Sequence, residues 1–99
     1  MTINKIETSE KEVTLALAGR LDTNTAPSLE EAIAGLGEQV TDLTLDMEGL
    51  EYISSAGLRV LLSTHKTFAG KGSLTICHVC DDIREVFDIT GFSDILNIQ

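Results

Sequence analysis

The sequence predicts a single α/β domain over residues 1–99, of order β-β-α-β-α-β-α-β, with a mixed sheet packed against three helices. Three observations lead there. Segments that alternate apolar and polar residues take turns with segments whose apolar residues recur every three or four positions. Only a short charged turn, Ser9-Glu10-Lys11-Glu12, separates the first two strands, so they read as a hairpin. The later strands are each separated by a helix, which calls for right-handed crossovers and parallel pairing.

Ile3 and Ile6 mark a first strand too polar to be central, placed at a sheet edge. In the second strand, Val13, Leu15 and Leu17 alternate with Thr14, Ala16 and Ala18, giving one apolar face and one face of small residues. Gly19 is expected to end it. Pro27 suits the first turn of the following helix, where its missing N–H is no loss. Ala26, Leu29, Ile33 and Leu36 form that helix's buried stripe, and Gly35 and Gly37 stop it. Leu43 and Leu45 alternate with Thr44 and Asp46 in the next strand, which a short polar connection joins to a helix over about 55–69. Leu74 to Val79 is a β-branched strand. Asp82 and Glu85 form a capping-box pattern before Ile83, Val86 and Phe87, Gly91 is a helix stop, and Ile95 to Ile98 make a last short strand.

Composition narrows the function classes. A core of this size is single and, with no Trp and few aromatics, aliphatic. No stretch approaches about 18 uninterrupted apolar residues, and the polar start MTINKIETSEKE has no secretory core, so the cytoplasm is the expected compartment. The formal net charge of −9 repels phosphate backbones and anionic lipid, which argues against nucleic-acid and membrane partners and suits a basic protein surface.

The stretch from Asp46 to Phe68 concentrates the chemistry. It brings two adjacent hydroxyls, Ser54 and Ser55, to the point where the polar connection hands over to a helix. Backbone N–H groups there lack intrahelical partners, and the macrodipole favours negative charge. A serine in such a place is either an N-cap or an acceptor for a phosphoryl group.

Gly19-Arg20-Leu21-Asp22, Leu45-Asp46 and Tyr52-Ile53-Ser54-Ser55-Ala56-Gly57-Leu58, in this element order, resemble the STAS domain family, specifically the bacterial anti-sigma factor antagonists. The resemblance spans essentially the whole chain. It implies a regulatory interaction module, not an enzyme, with no cofactor. Its partners would be an anti-sigma factor that is also a serine kinase, and a phosphoserine phosphatase. The family motif commonly reads Tyr-Met-Asp-Ser-Ser/Thr-Gly-Leu, which sets the phosphoacceptor on Ser55, with Ser54 as the competing acceptor. Ser54 stands where the motif has aspartate, and Ala56 where it has a second hydroxyl. Arg59 adds a cation where such antagonists often carry glycine. The partner-binding rim implied is Asp22, Asn24, Asp46, Ser54, Ala56, Gly57 and Arg59, with both aspartates at strand ends. A STAS module of another signalling assembly, or one binding a nucleotide or small ligand at that rim, is the alternative.

Other chemistries find little support. Cys77 and Cys80 form C-x-x-C after a strand, yet Asp81 and Asp82 follow directly, and nearby anions blunt a thiol. His65 and His78 stand at no metal-motif spacing from them, so no metal site is expected. Ser55 lies in no G-x-S-x-G elbow, and Gly70-Lys71-Gly72 is a helix–strand turn, not a phosphate loop.

Overall fold

The computed structural model describes residues 1–99. The chain forms β1 (Thr2–Glu7), β2 (Glu12–Leu21), α1 (Ala26–Ala34), β3 (Asp42–Ile53), α2 (Ser55–Ala69), β4 (Ser73–Cys77) and α3 (Asp81–Thr90). A 3₁₀ turn at Phe92–Asp94 leads to β5 (Asn97–Ile98). The sheet order is β1-β2-β3-β4-β5; β1 runs antiparallel to β2 and every later pair is parallel. The mixed sheet, the edge position of β1 and the three helices agree with the sequence reading.

One face of this sheet carries the core. Val13, Leu15 and Leu17, then Leu43, Leu45 and Met47, then Leu74 and Ile76 are all buried, and they join Leu29, Leu61, Phe68, Ile83 and Phe87 of the helices in one cluster. The alternate positions hold half-buried Thr14, Ala16, Thr44, Asp46, Thr75 and Cys77. Strand periodicity fixes this division, since successive side chains point to opposite faces.

Several expectations about boundaries need correction. Gly19, with φ of 98°, lies inside β2 and does not end it. The polar connection after Asp46 is strand: β3 continues to Ile53. Two irregularities explain why it does not look like one. Ala16 to Ala18 of β2 faces Asp46 to Gly49 of β3, and Gly19 to Arg20 faces Leu50 to Tyr52, so β3 holds an extra residue at each point. Such bulges shift the buried positions from Leu43, Leu45, Met47 to Leu50 and Ile53, and the alternation disappears from the sequence. Finally, Asp82 is not a cap. Cys80 is the N-cap residue of α3 and makes no side-chain cap bond, while Asp81 and Asp82 occupy the first turn. There their charge favours the N-terminal end of the dipole. Gly91 is the left-handed stop expected, with φ of 82°. The last strand is shorter than expected because Phe92–Asp94 takes up a 3₁₀ turn.

No helix is long and apolar enough to cross a membrane.

Candidate functional site

The β3–α2 junction sits beside the end of β2, held there by the backbone bond from Ser54 N–H to the Leu21 carbonyl at 2.9 Å. Ser54 is the N-cap of α2: it is extended (φ −101°, ψ 176°), and its Oγ accepts the Gly57 N–H at 3.4 Å. Ser55 is therefore the first helical residue, and it is exposed. The two serines divide the alternatives between them, one hydroxyl turned to capping and the other left open to solvent.

Gly57 is buried beneath this turn. A Cβ built on it would lie 2.7 Å from Leu21 Cγ and 2.9 Å from Ile53 Cγ1. Its lack of a side chain lets the first turn of α2 seat against the strand ends, which makes it a packing residue and removes it from the accessible rim.

The β2–α1 loop forms the facing wall. Asp22 Oδ1 accepts N–H bonds from Asn24 at 3.0 Å and Thr25 at 3.1 Å, closing an Asx turn. Thr25 Oγ1 in turn donates to the Arg20 carbonyl at 2.8 Å. Burial alone would push the Asp22 carboxyl up. The Thr25 and Asn24 N–H groups, the Thr25 hydroxyl and the Arg20 charge outweigh that, and hold it below the usual carboxylate range. A groove of about 410 Å³ separates this loop and α1 from α2, lined by Thr23, Pro27, Ala56 and Arg59 among others. Arg59, four residues after Ser55, is exposed on the next turn of α2.

Two rim residues escaped the sequence reading. Arg20 lies over Tyr52, with its guanidinium carbon 4.1 Å from the ring centroid, and its Nε is 3.8 Å from Asp22 Oδ2. Tyr52 is 40% exposed, a large share for an aromatic ring on a strand. The signal was present in the motif itself: an aromatic two residues before the serine pair, outside any buried alternation.

Asp46 does not join this group. It lies inside β3, paired with Ala16 on one side and Cys77 on the other, not at a strand end. Five residue steps along β2, from Ala16 to Leu21, separate its level from that of Ile53, or roughly 15–20 Å along the sheet. Its partner is His78, whose Nδ1 stands 2.9 Å from Asp46 Oδ1. The hydrogen bond and charge of Asp46 raise the His78 pKa. Burial, which would raise the Asp46 carboxyl, is outweighed by the Glu48 N–H and by His78, so Asp46 is lowered. Cys77 and Cys80 are both free. Burial, with the Asp46 charge added, pushes the Cys77 thiol up, the reverse of what a reactive thiol needs.

Comparison with known proteins places the chain as a whole. The STAS domain family model matches residues 4–99. The chain is 34% identical, over an alignment of 101 residues, to the anti-sigma-B factor antagonist of Bacillus subtilis (strain 168); this covers 100% of the chain and 93% of that relative. It is 31% identical to the anti-sigma-B factor antagonist of Staphylococcus aureus, covering 93% of the chain and 87% of that protein. Among solved structures, an anti-sigma factor antagonist from Mycobacterium paratuberculosis superposes with a TM-score of 0.84 at 22% identity, covering 98% of this chain and 85% of that one. The unphosphorylated form of the anti-sigma factor antagonist SpoIIAA gives a TM-score of 0.77 at 18% identity, covering 99% of this chain and 87% of that one. These two likenesses establish the fold alone.

The chain is a single mixed-sheet α/β module and belongs to the STAS domain family. Its curated relatives are anti-sigma factor antagonists.

Proposed function

We propose that this chain is an anti-sigma factor antagonist whose rim around the start of α2 binds an anti-sigma factor that is also a serine kinase, and that Ser55 is the phosphoacceptor switching that binding off. The observation that carries the reading is the division of labour at the helix start. Ser54 caps α2, so the Ser55 hydroxyl is exposed and is not needed to hold the helix. On this reading Asp22, Asn24, Ala56 and Arg59 form the rim with Arg20 and Tyr52; in support, Ala56 and Arg59 line one groove with Thr23 of the β2–α1 loop, and the Ser54 N–H binds the Leu21 carbonyl next to Asp22.

The switch follows from charge. A phosphoserine adds about −1.5 to −2 charges and three strong acceptor oxygens. At the first position of α2 it meets the positive end of the helix dipole, with Arg59 one turn away, so the domain tolerates it. A partner surface shaped to the neutral hydroxyl, and facing Asp22 beside it, then meets repulsion and desolvation. A phosphoserine phosphatase resets the state, and the cytoplasm is where such partners meet. The protein is a substrate of both enzymes and catalyses neither reaction.

The test is capture of partners by wild-type, Ser55→Ala and Ser55→Asp protein, before and after incubation with ATP, with peptide mass mapping of the phosphate. Wild type and Ser55→Ala should both bind the anti-sigma factor, and ATP should release only wild type. Ser55→Asp should bind at least about tenfold more weakly, a loss of about 1.4 kcal/mol or more. Equal binding by Ser55→Asp, or a phosphate mapped to Ser54, overturns the assignment.

A further inference from the structure

Away from the rim, where β4 ends, three side chains of different chemistry converge: the Asp46 carboxylate, the Cys77 thiol and the His78 imidazole. One ligand atom from each lies within 4.8 Å of the other two. His78 Nδ1 is 2.9 Å from Asp46 Oδ1 and 3.6 Å from Cys77 Sγ.

This arrangement depends on an unusual backbone. In a strand that simply continued, residues 77 and 78 would point to opposite faces. His78 instead has φ of 57°, the only positive φ at a non-glycine residue in the chain. Such a conformation is unfavourable for any residue with a Cβ. Here it accompanies a ring that reaches the side of the sheet already holding Cys77 and its ladder neighbour Asp46.

We propose that Asp46, Cys77 and His78 form a binding site for a thiophilic divalent cation, best matched by Zn²⁺. The donor set is the first reason. One thiolate, one imidazole and one carboxylate are the three ligand types that Zn²⁺ accepts, and three protein ligands leave one position for water. A hard ion such as Mg²⁺ gains little from the sulfur and nitrogen. The spacing is the second. Ligands held about 2.0–2.3 Å from a shared tetrahedral ion stand roughly 3.3–3.7 Å apart. The Cys77–His78 separation already falls there, the Asp46–His78 contact has to open by roughly half an ångström, and the Asp46 and Cys77 ligand atoms, within 4.8 Å of each other, adjust about the ion by side-chain rotation.

The supporting shell is the third. Asp46 Oδ1 also accepts the Glu48 N–H at 3.0 Å, which orients the carboxylate. Glu48 itself is exposed close by, and the chain's net charge of −9 raises the local concentration of cations. Zn²⁺ entering here displaces the Cys77 thiol proton into solvent. The proton on His78 Nδ1 either leaves or moves to Nε2, which faces away from the ion.

Spacing along the chain could not reveal the site, because the third donor sits 32 residues before His78 on the neighbouring strand. It also differs from the C-x-x-C reading. Cys80 is absent from the cluster, and its Sγ lies 3.9 Å from the Leu50 carbonyl.

The experiment is Co²⁺ titration of the reduced, metal-stripped full chain, followed by Zn²⁺ competition. Wild type should develop a sulfur-to-cobalt charge-transfer band saturating at one ion per chain, and Zn²⁺ should bleach it while Mg²⁺ does not. Cys77→Ser should abolish the band, and Asp46→Asn should weaken binding by about tenfold or more. His78→Asn should weaken it likewise while keeping a residue type that tolerates positive φ. Cys80→Ser should bind as wild type. No charge-transfer band in wild type, or a band lost in Cys80→Ser but kept in Cys77→Ser, overturns the proposal. Circular dichroism of each variant shows whether a loss reflects unfolding, and retention of binding by both folded Asp46→Asn and His78→Asn also rejects it.

Discussion

The Arg20 guanidinium carbon stands 4.1 Å from the centroid of the Tyr52 ring, and the two residues are direct partners in the β2–β3 ladder. The pair bridges the ends of both strands just where the chain turns off into the β2–α1 loop and into α2. It lies after the second bulge of β3, where the ladder is least regular. A stacked cation there helps to fix the register that the bulge disturbs.

An exposed cation–π pair contributes about 0.5–1 kcal/mol. Tyr52→Leu and Arg20→Gln are each expected to lose about that much stability in urea unfolding. The double variant should lose less than the sum of the two, since the shared interaction can be removed only once. A coupling indistinguishable from zero in the double-mutant cycle means that the stack contributes nothing.

Ser54→Ala removes the cap of α2 and leaves the Gly57 N–H without its side-chain partner. Cap losses run from about 0.5 to 2 kcal/mol. The Ser54–Gly57 contact is long at 3.4 Å, which puts this one in the lower half of that range. Ser54→Asp should recover the loss, because a carboxylate caps as well as a hydroxyl and also favours the helix dipole. If Ser54→Ala unfolds at the wild-type urea midpoint, the cap carries no stability and Ser55 is not spared by it.

Much of this was legible along the chain, and the gaps have definite causes. The helix over 55–69 was readable to the residue because its apolar stripe is flanked by a hydroxyl cap and Gly70. The second half of β3 was not, because two bulges turn the spacing from Leu45–Met47 into Met47–Leu50–Ile53, which matches neither a strand nor a helix template. The same bulges hid how far Asp46 lies from the serines. Arg20 and Tyr52 are neighbours only through the ladder. The Asp46–Cys77–His78 group depends both on strand pairing and on one left-handed residue, and neither is written in local spacing.

Gly57→Ala sets two effects against each other. Alanine is favoured over glycine inside a helix by about 1 kcal/mol. Its methyl group, however, would lie 2.7 Å from Leu21 Cγ and 2.9 Å from Ile53 Cγ1. Leu21 is fully buried and Ile53 nearly so, which leaves little room to yield. Overpacking costs about 1–3 kcal/mol, and with two contacts under 3 Å this site falls in the upper part of that range, so after the propensity gain the variant should be net destabilised by up to about 2 kcal/mol. A variant as stable as wild type in urea would show that the first turn of α2 can lift off the strand ends freely.

Asp22 ties the fold to pH. Its folded pKa lies below the ordinary value: the pull of the Thr25 and Asn24 N–H groups, the Thr25 hydroxyl and Arg20 exceeds the opposing effect of burial. A depressed carboxylate contributes stability that is fully present above its unfolded pKa of about 3.9 and is lost as pH falls through the lower folded value. Asp22→Asn keeps an oxygen acceptor for the Asx turn but cannot carry the charge. The gap in urea midpoint between wild type and Asp22→Asn should therefore be widest near neutral pH and close below about pH 4. The remaining carboxylates titrate in both proteins, so their effect cancels in the difference. If the gap is the same at pH 7 and pH 3, the turn is held by the oxygen's geometry and the ionised form adds nothing.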